Sequence, residues 1–178
     1  MEEKVRSISV QGIYYGLITG AGLIILSLIL FIAGLIQNKW LSSISYLILI
    51  AGMIYGTYDY REKYLKGFIS YGKAFTTCFM IGLFAGIAAS IYTYVFAQFI
   101  HPGLVTEVIE QARQQMVNTN PEMSEDQLET ALAMTEKFTT PVMMMVMGFI
   151  TYTVLSAVIS LIASIFLKKE DTSLSPSI

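Results

Sequence analysis

The stretch IYYGLITGAGLIILSLILFIAGLI, residues 13–36, decides the fold. It is 24 residues long and carries no charge. A helix needs about 20 apolar residues to cross the hydrocarbon core of a bilayer, so this run is long enough to span one. A signal-peptide core is about 7–15 residues, followed by a small-residue cleavage site. This run is longer and shows no such site, so it reads as a retained span. Three more apolar runs follow: Leu41–Tyr58, of 18 residues, and Ala74–Ile100 and Pro141–Leu167, of 27 each. None has a charged residue inside it. At about 1.5 Å per residue the two longest measure roughly 40 Å, so they are expected to tilt or to project past the membrane. The composition agrees. Of 178 residues, 54% are hydrophobic and 13% charged, and the mean hydropathy is +0.62. Soluble domains carry about 25% charged residues, which points to lipid as the solvent.

These runs predict an all-α integral membrane four-helix bundle, one membrane domain over residues 1–178 with spans 13–36, 41–58, 74–100 and 141–167. The gap Gln37–Trp40 makes the first two spans a tight antiparallel hairpin. Orientation follows the Lys/Arg bias. Lys4, Arg6, Arg61, Lys63, Lys66, Lys73, Lys168 and Lys169 fall on one side, against Lys39, Arg113 and Lys137 on the other. That places both termini in the cytoplasm.

The connection 101–140 is then extracytoplasmic. Val105, Val108, Ile109, Ala112 and Met116 recur at helical spacing, and so do Leu128, Ala131, Leu132, Thr135 and Phe138. Asn118-Thr-Asn-Pro121 breaks the two series. Ser124-x-x-Gln127 is a capping box, with Met123 and Leu128 as a hydrophobic staple. Thr140-Pro141 suits an N-cap and first helical position for span four, or else a kink in one long helix. A helical hairpin is expected between spans three and four. Its seven acids, against two basic residues, read as a solvated surface or as a docking face for another protein.

Small residues recur every four positions in each span: Gly12, Gly16 and Gly20; Gly52 and Gly56; Gly82, Gly86 and Ser90; Ser156, Ser160 and Ser164. Such stripes let helix backbones approach closely in a membrane. The hydroxyls of Ser156, Ser160 and Ser164 can bond back to the carbonyls four residues earlier. Thr76, Thr77, Ser90, Thr93 and Gln98 make span three the most polar, which reads as interhelical hydrogen bonding or as a narrow polar path.

The connection 58–75 interleaves aromatic and basic residues. Tyr60, Arg61, Lys63, Tyr64, Lys66, Tyr71 and Lys73 suit the headgroup layer, where aromatic rings and cations meet lipid phosphates. The same mixture can bind single-stranded nucleic acid, but ties to spans on both sides favour the membrane. Gly67 and Gly72 permit turns, so a short interfacial helix is expected here. The run Gly67-Phe-Ile-Ser-Tyr71-Gly-Lys-Ala-Phe75, together with the plan of two close spans, a basic connection, a third span ending near His101-Pro102, a helical loop and a fourth span, resembles the DUF4199 family. The resemblance covers nearly the whole chain. It implies a multi-pass protein of a bacterial inner membrane with no established biochemical activity. It also implies a setting near family-2 glycosyltransferases that act on polyprenyl phosphate.

Chemistry is sparse. His101 is the only histidine and Cys78 the only cysteine, so a His/Cys metal site has no donor set. Met143, Met144, Met145 and Met147 offer thioethers, but only Met143 and Met147 share a helical face, and methionine is an ordinary packing residue. The spans hold serines and threonines without a base to activate them. No phosphate loop or nucleotide fingerprint is present. Asp59, Lys73 and His101 sit at span ends rather than at midplane, where ion-coupled transport places its charges. The expectation is a non-enzymatic membrane subunit without a cofactor or metal. It acts through helix packing with a membrane partner, such as the glycosyltransferase the resemblance implies, or with itself. The alternative is a small transporter or lipid-handling protein. Lipids are expected partners and nucleic acid is not.

Overall fold

The computed structural model of the chain describes residues 7–35 and 38–169. Lys4, Arg6, Ile36 and Gln37 lie outside the described residues, as do the side chains of Lys39 and Ser42. Helices dominate: α1 (Ile8–Ile32), α2 (Lys39–Ser42), α3 (Ile44–Tyr64), α4 (Tyr71–Val95), α5 (Leu104–Thr119), α6 (Glu125–Phe138) and α7 (Pro141–Leu167). A π-helical turn, Phe96–Ile100, extends α4. Three helices are long and apolar enough to cross a membrane: α1, α4 with its extension, and α7. Among the described residues the only β pairing is an isolated bridge between Ile69 and Lys169.

Helix ends follow local chemistry. The Ser7 hydroxyl accepts from the Val10 amide at 3.3 Å and caps α1. Gly34, at φ +68°, takes the left-handed exit, and the Leu35 amide returns to the Leu30 carbonyl at 2.8 Å. That is a glycine-based C-cap, so α1 stops at Ile32 rather than at the expected Ile36. In place of a four-residue gap, Ala33–Asn38 leads into α2, and Ser43 separates α2 from α3.

α3 runs six residues past Tyr58, the expected end of span two. Lys63 pairs with Asp59 one turn earlier at 2.6 Å, and Arg61 and Lys63 in the last turn complement the helix dipole. The exit is again left-handed. Lys66 and Gly67 have φ of +53° and +85°, and the Gly67 amide bonds the Arg61 carbonyl at 2.9 Å. No separate interfacial helix forms in this connection. Gly67 makes the turn, whereas Gly72 lies inside the first turn of α4.

The chain divides into two compact units, Met1–Ala89 with Thr151–Ile178, and Ser90–Ile150. In the first, α4 is the core element. Ala74, Cys78, Ile81 and Ala85 are fully buried there, beside Leu49 and Met53 of α3. In the second, α5 packs on α6. The capping box at Ser124 and Gln127 is complete, with bonds of 3.4 and 3.2 Å. The Thr140 hydroxyl accepts from the Met143 amide at 3.3 Å at the start of α7.

Candidate functional site

Within the first unit, the small residues mark where one backbone comes close to another helix. A Cβ built on Gly12 would lie 2.6 Å from the Met80 Cβ, on Gly16 2.5 Å from the Phe84 Cβ, and on Gly20 2.8 Å from the Ala88 Cβ. The glycine face of α1 therefore runs parallel to α4, in register by four residues. Gly52 faces the Thr19 side chain and Gly56 faces Tyr15, so α3 runs antiparallel to α1. Gly82 faces Ser156 and Gly86 faces Tyr152, so α4 and α7 are antiparallel there. Ser156, Ser160 and Ser164 are fully buried. Ser90 falls in the second unit and is buried as well.

The polar groups divide by how they are satisfied. Thr57, Thr76 and Thr77 hydroxyls donate to the carbonyls of Met53, Gly72 and Lys73 at 2.8–2.9 Å, within their own helices. The expected interhelical bonds of Thr76 and Thr77 are thus replaced by intrahelical ones. Among the described residues the hydroxyls of Ser90, Ser156, Ser160 and Ser164 have no hydrogen-bond partner, so in the three α7 serines the return to the i−4 carbonyl is not made. A serine hydroxyl rotates freely among its rotamers, whereas the methyl group of threonine restricts that choice.

One polar cluster escaped the sequence reading. Gln11 of α1, fully buried, donates its amide to the Gly56 carbonyl of α3 at 2.9 Å. Asp59, only 7% exposed, pairs with Lys63 and accepts from Tyr15 and Gln11 of α1. The cluster clasps α1 to α3 where α3 leaves its apolar stretch. The signal was a glutamine two residues before an apolar run, too common to single out.

The aromatic and basic residues of the connection separate into two groups. Tyr60 is buried at 4% exposure, and Tyr64 packs against the core. Arg61 is spent on Glu62 at 2.8 Å, on the Leu167 carbonyl at 3.0 Å and on the Tyr58 ring. Lys63 is spent on Asp59. Lys66, Tyr71 and Lys73 are exposed. In the second unit, His101 Nε2 lies 3.1 Å from Glu107 Oε1. Among the described residues no group of three His, Cys, Asp or Glu side chains is placed to hold a metal.

An all-helical chain with three membrane-capable helices, close-packed through glycine and serine, defines the class. A family profile described as "Protein of unknown function (DUF4199)" matches residues 14–169, and the chain belongs to that family. No curated protein and no solved structure matches it.

Proposed function

We propose that this chain is a non-enzymatic subunit of a bacterial inner membrane, with α3 as a fourth span and both termini in the cytoplasm. The alternating directions of α1, α3, α4 and α7 support a four-span bundle. The apolar part of α3, residues 44–58, is about 22 Å long, and its last turns carry Asp59, Arg61, Glu62 and Lys63 toward the headgroup layer, which makes it a short span. The segment between α4 and α7 then lies outside the cytoplasm as a helical hairpin.

The observation that carries the non-enzymatic reading is how the polar groups of the first unit are used. Gln11, Asp59 and Arg61 each bond a neighbouring helix, while Thr57 and Thr77 bond their own. These groups serve the fold rather than a substrate. The glycine faces are likewise consumed inside the unit. A partner would therefore meet the outward apolar side chains, such as Leu17, Ile25, Ile29, Val154 and Val158, which are all exposed. A membrane glycosyltransferase acting on polyprenyl phosphate is the partner that the family resemblance implies, and a second copy of the chain is the other. Purification from native membranes in mild detergent, with that enzyme co-expressed, tests the proposal. A stoichiometric complex or a dimer is the expected result, and a lone monomer under all conditions overturns it.

The reading as a small transporter or lipid-handling protein draws on the unpartnered buried hydroxyls of Ser156, Ser160 and Ser164. It requires solute flux or lipid movement in vesicles that depends on those hydroxyls.

A further inference from the structure

The corner of the first unit where α3 ends and α7 arrives is stitched by backbone. The Ile69 amide donates to the Lys169 carbonyl and the Lys169 amide donates to the Ile69 carbonyl, both at 2.9 Å. Arg61 adds its bond to the Leu167 carbonyl, and the Tyr71 hydroxyl donates to the Leu161 carbonyl at 3.3 Å. The bridge sets Lys168 and Lys169 beside the segment that carries Lys66 and Lys73. Those two lie three and four residues from Ile69, so neither Cα is more than about 14 Å from the bridge.

The cations of this corner are of two kinds. Arg61 and Lys63 are neutralised by Glu62 and Asp59. Lys66, Lys73, Lys168 and Lys169 are exposed and have no acidic partner among the described residues. Glu170 and Asp171 lie outside that range, and four lysines still outnumber those two acids. Two rings are exposed in the same segment. Phe68 is 38% exposed, with the Lys169 ammonium 5.7 Å from its centroid, and Tyr71 is 37% exposed. Exposed rings beside unpaired ammonium groups suit an amphiphile. A phosphate meets the cations, and the rings meet the glycerol and upper acyl chain. A free anion would use the lysines and leave the rings in water.

We propose that this corner binds the phosphate headgroup of an anionic phospholipid, through Lys66, Lys73, Lys168 and Lys169, with Phe68 and Tyr71 against the lipid body. The proposal rests on the cytoplasmic, membrane-embedded reading of the chain. The full chain in neutral detergent is titrated with phosphatidylglycerol, phosphatidylcholine or glycerol phosphate, and retained lipid is read by native mass spectrometry alongside the melting temperature. Phosphatidylglycerol is expected to be retained over phosphatidylcholine, and glycerol phosphate is expected to leave the melting temperature unchanged. The variant K66Q/K73Q/K168Q/K169Q loses that preference, by roughly fivefold for each lysine removed. The variant with arginine at the same four positions keeps it, which separates charge from damage to the fold. Equal retention of the two lipids by the native chain overturns the site, as does a glutamine variant that retains phosphatidylglycerol normally. A matching melting shift with glycerol phosphate overturns the lipid as its source. Extraction of the chain from membranes at alkaline pH would instead overturn the membrane reading itself.

Discussion

The two units are built on different packing rules. In the first, glycine and serine sit where helices touch, and side chains as small as a methyl group have no room at Gly12, Gly16 or Gly20. In the second, α5 and α6 contain no fully buried residue, and their acids and apolar residues separate by face. Lipid tails are as apolar as leucine, so burying leucine drives little association between spans, and close backbone contact takes its place. An amphipathic pair in water is held by the hydrophobic effect and tolerates looser contacts. The difference teaches that the first unit is sensitive to added volume and the second to lost surface or lost caps.

The strongest way to break this comparison is Gly16→Leu. Its Cβ alone would meet the Phe84 Cβ and, at 2.9 Å, the Ile81 carbonyl oxygen, neither of which is the flexible end of a side chain. The expected cost is about 3 kcal/mol or more, read as a drop in melting temperature in detergent. Gly72→Ala is the control. Nothing lies within 4 Å of its added Cβ, and the helix gains up to about 1 kcal/mol. Equal melting of native chain and Gly16→Leu would refute close packing as the organising rule.

Next comes Asp59→Ala, which leaves the Lys63 ammonium and the Tyr15 hydroxyl without their acceptor, while Gln11 keeps its bond to the Gly56 carbonyl. A loss of about 2 kcal/mol is expected. Ser124→Ala is smaller and belongs to the second unit. It removes one side of the capping box, for about 1 kcal/mol, and should raise amide exchange in the first turn of α6 while α1 and α4 stay protected.

What the sequence made legible was local. The capping box at Ser124, the start of α7 at Pro141 and the turn at Gly67 each have a signal within a few residues. What it hid was of two kinds. The ends of α1 and α3 were misplaced because hydropathy marks where lipid suits a side chain, whereas caps and ion pairs decide where a helix stops. Gly34 ends α1 inside an apolar run, and the Asp59–Lys63 pair carries α3 on through charged residues. The Ile69–Lys169 bridge and the Gln11–Gly56 bond join residues 100 and 45 positions apart, and neither partner is unusual by itself.

The smallest effect sharpens the comparison most, because it separates packing from passage. Ser160 is fully buried, and its hydroxyl, set beside the Cys78 thiol, makes no well-formed hydrogen bond among the described residues. If the serine stripe of α7 exists for its size, alanine serves as well. Removing an unsatisfied buried hydroxyl then raises stability by up to about 1 kcal/mol, with no other change. If the stripe solvates a polar path, Ser160→Ala removes a needed group, and solute or lipid movement in vesicles falls while melting barely shifts. Melting and flux measured on this one variant place the first unit among close-packed membrane subunits or among conduits. Only the first outcome keeps Gly16 and Ser160 in one argument, as two sizes of the same packing device.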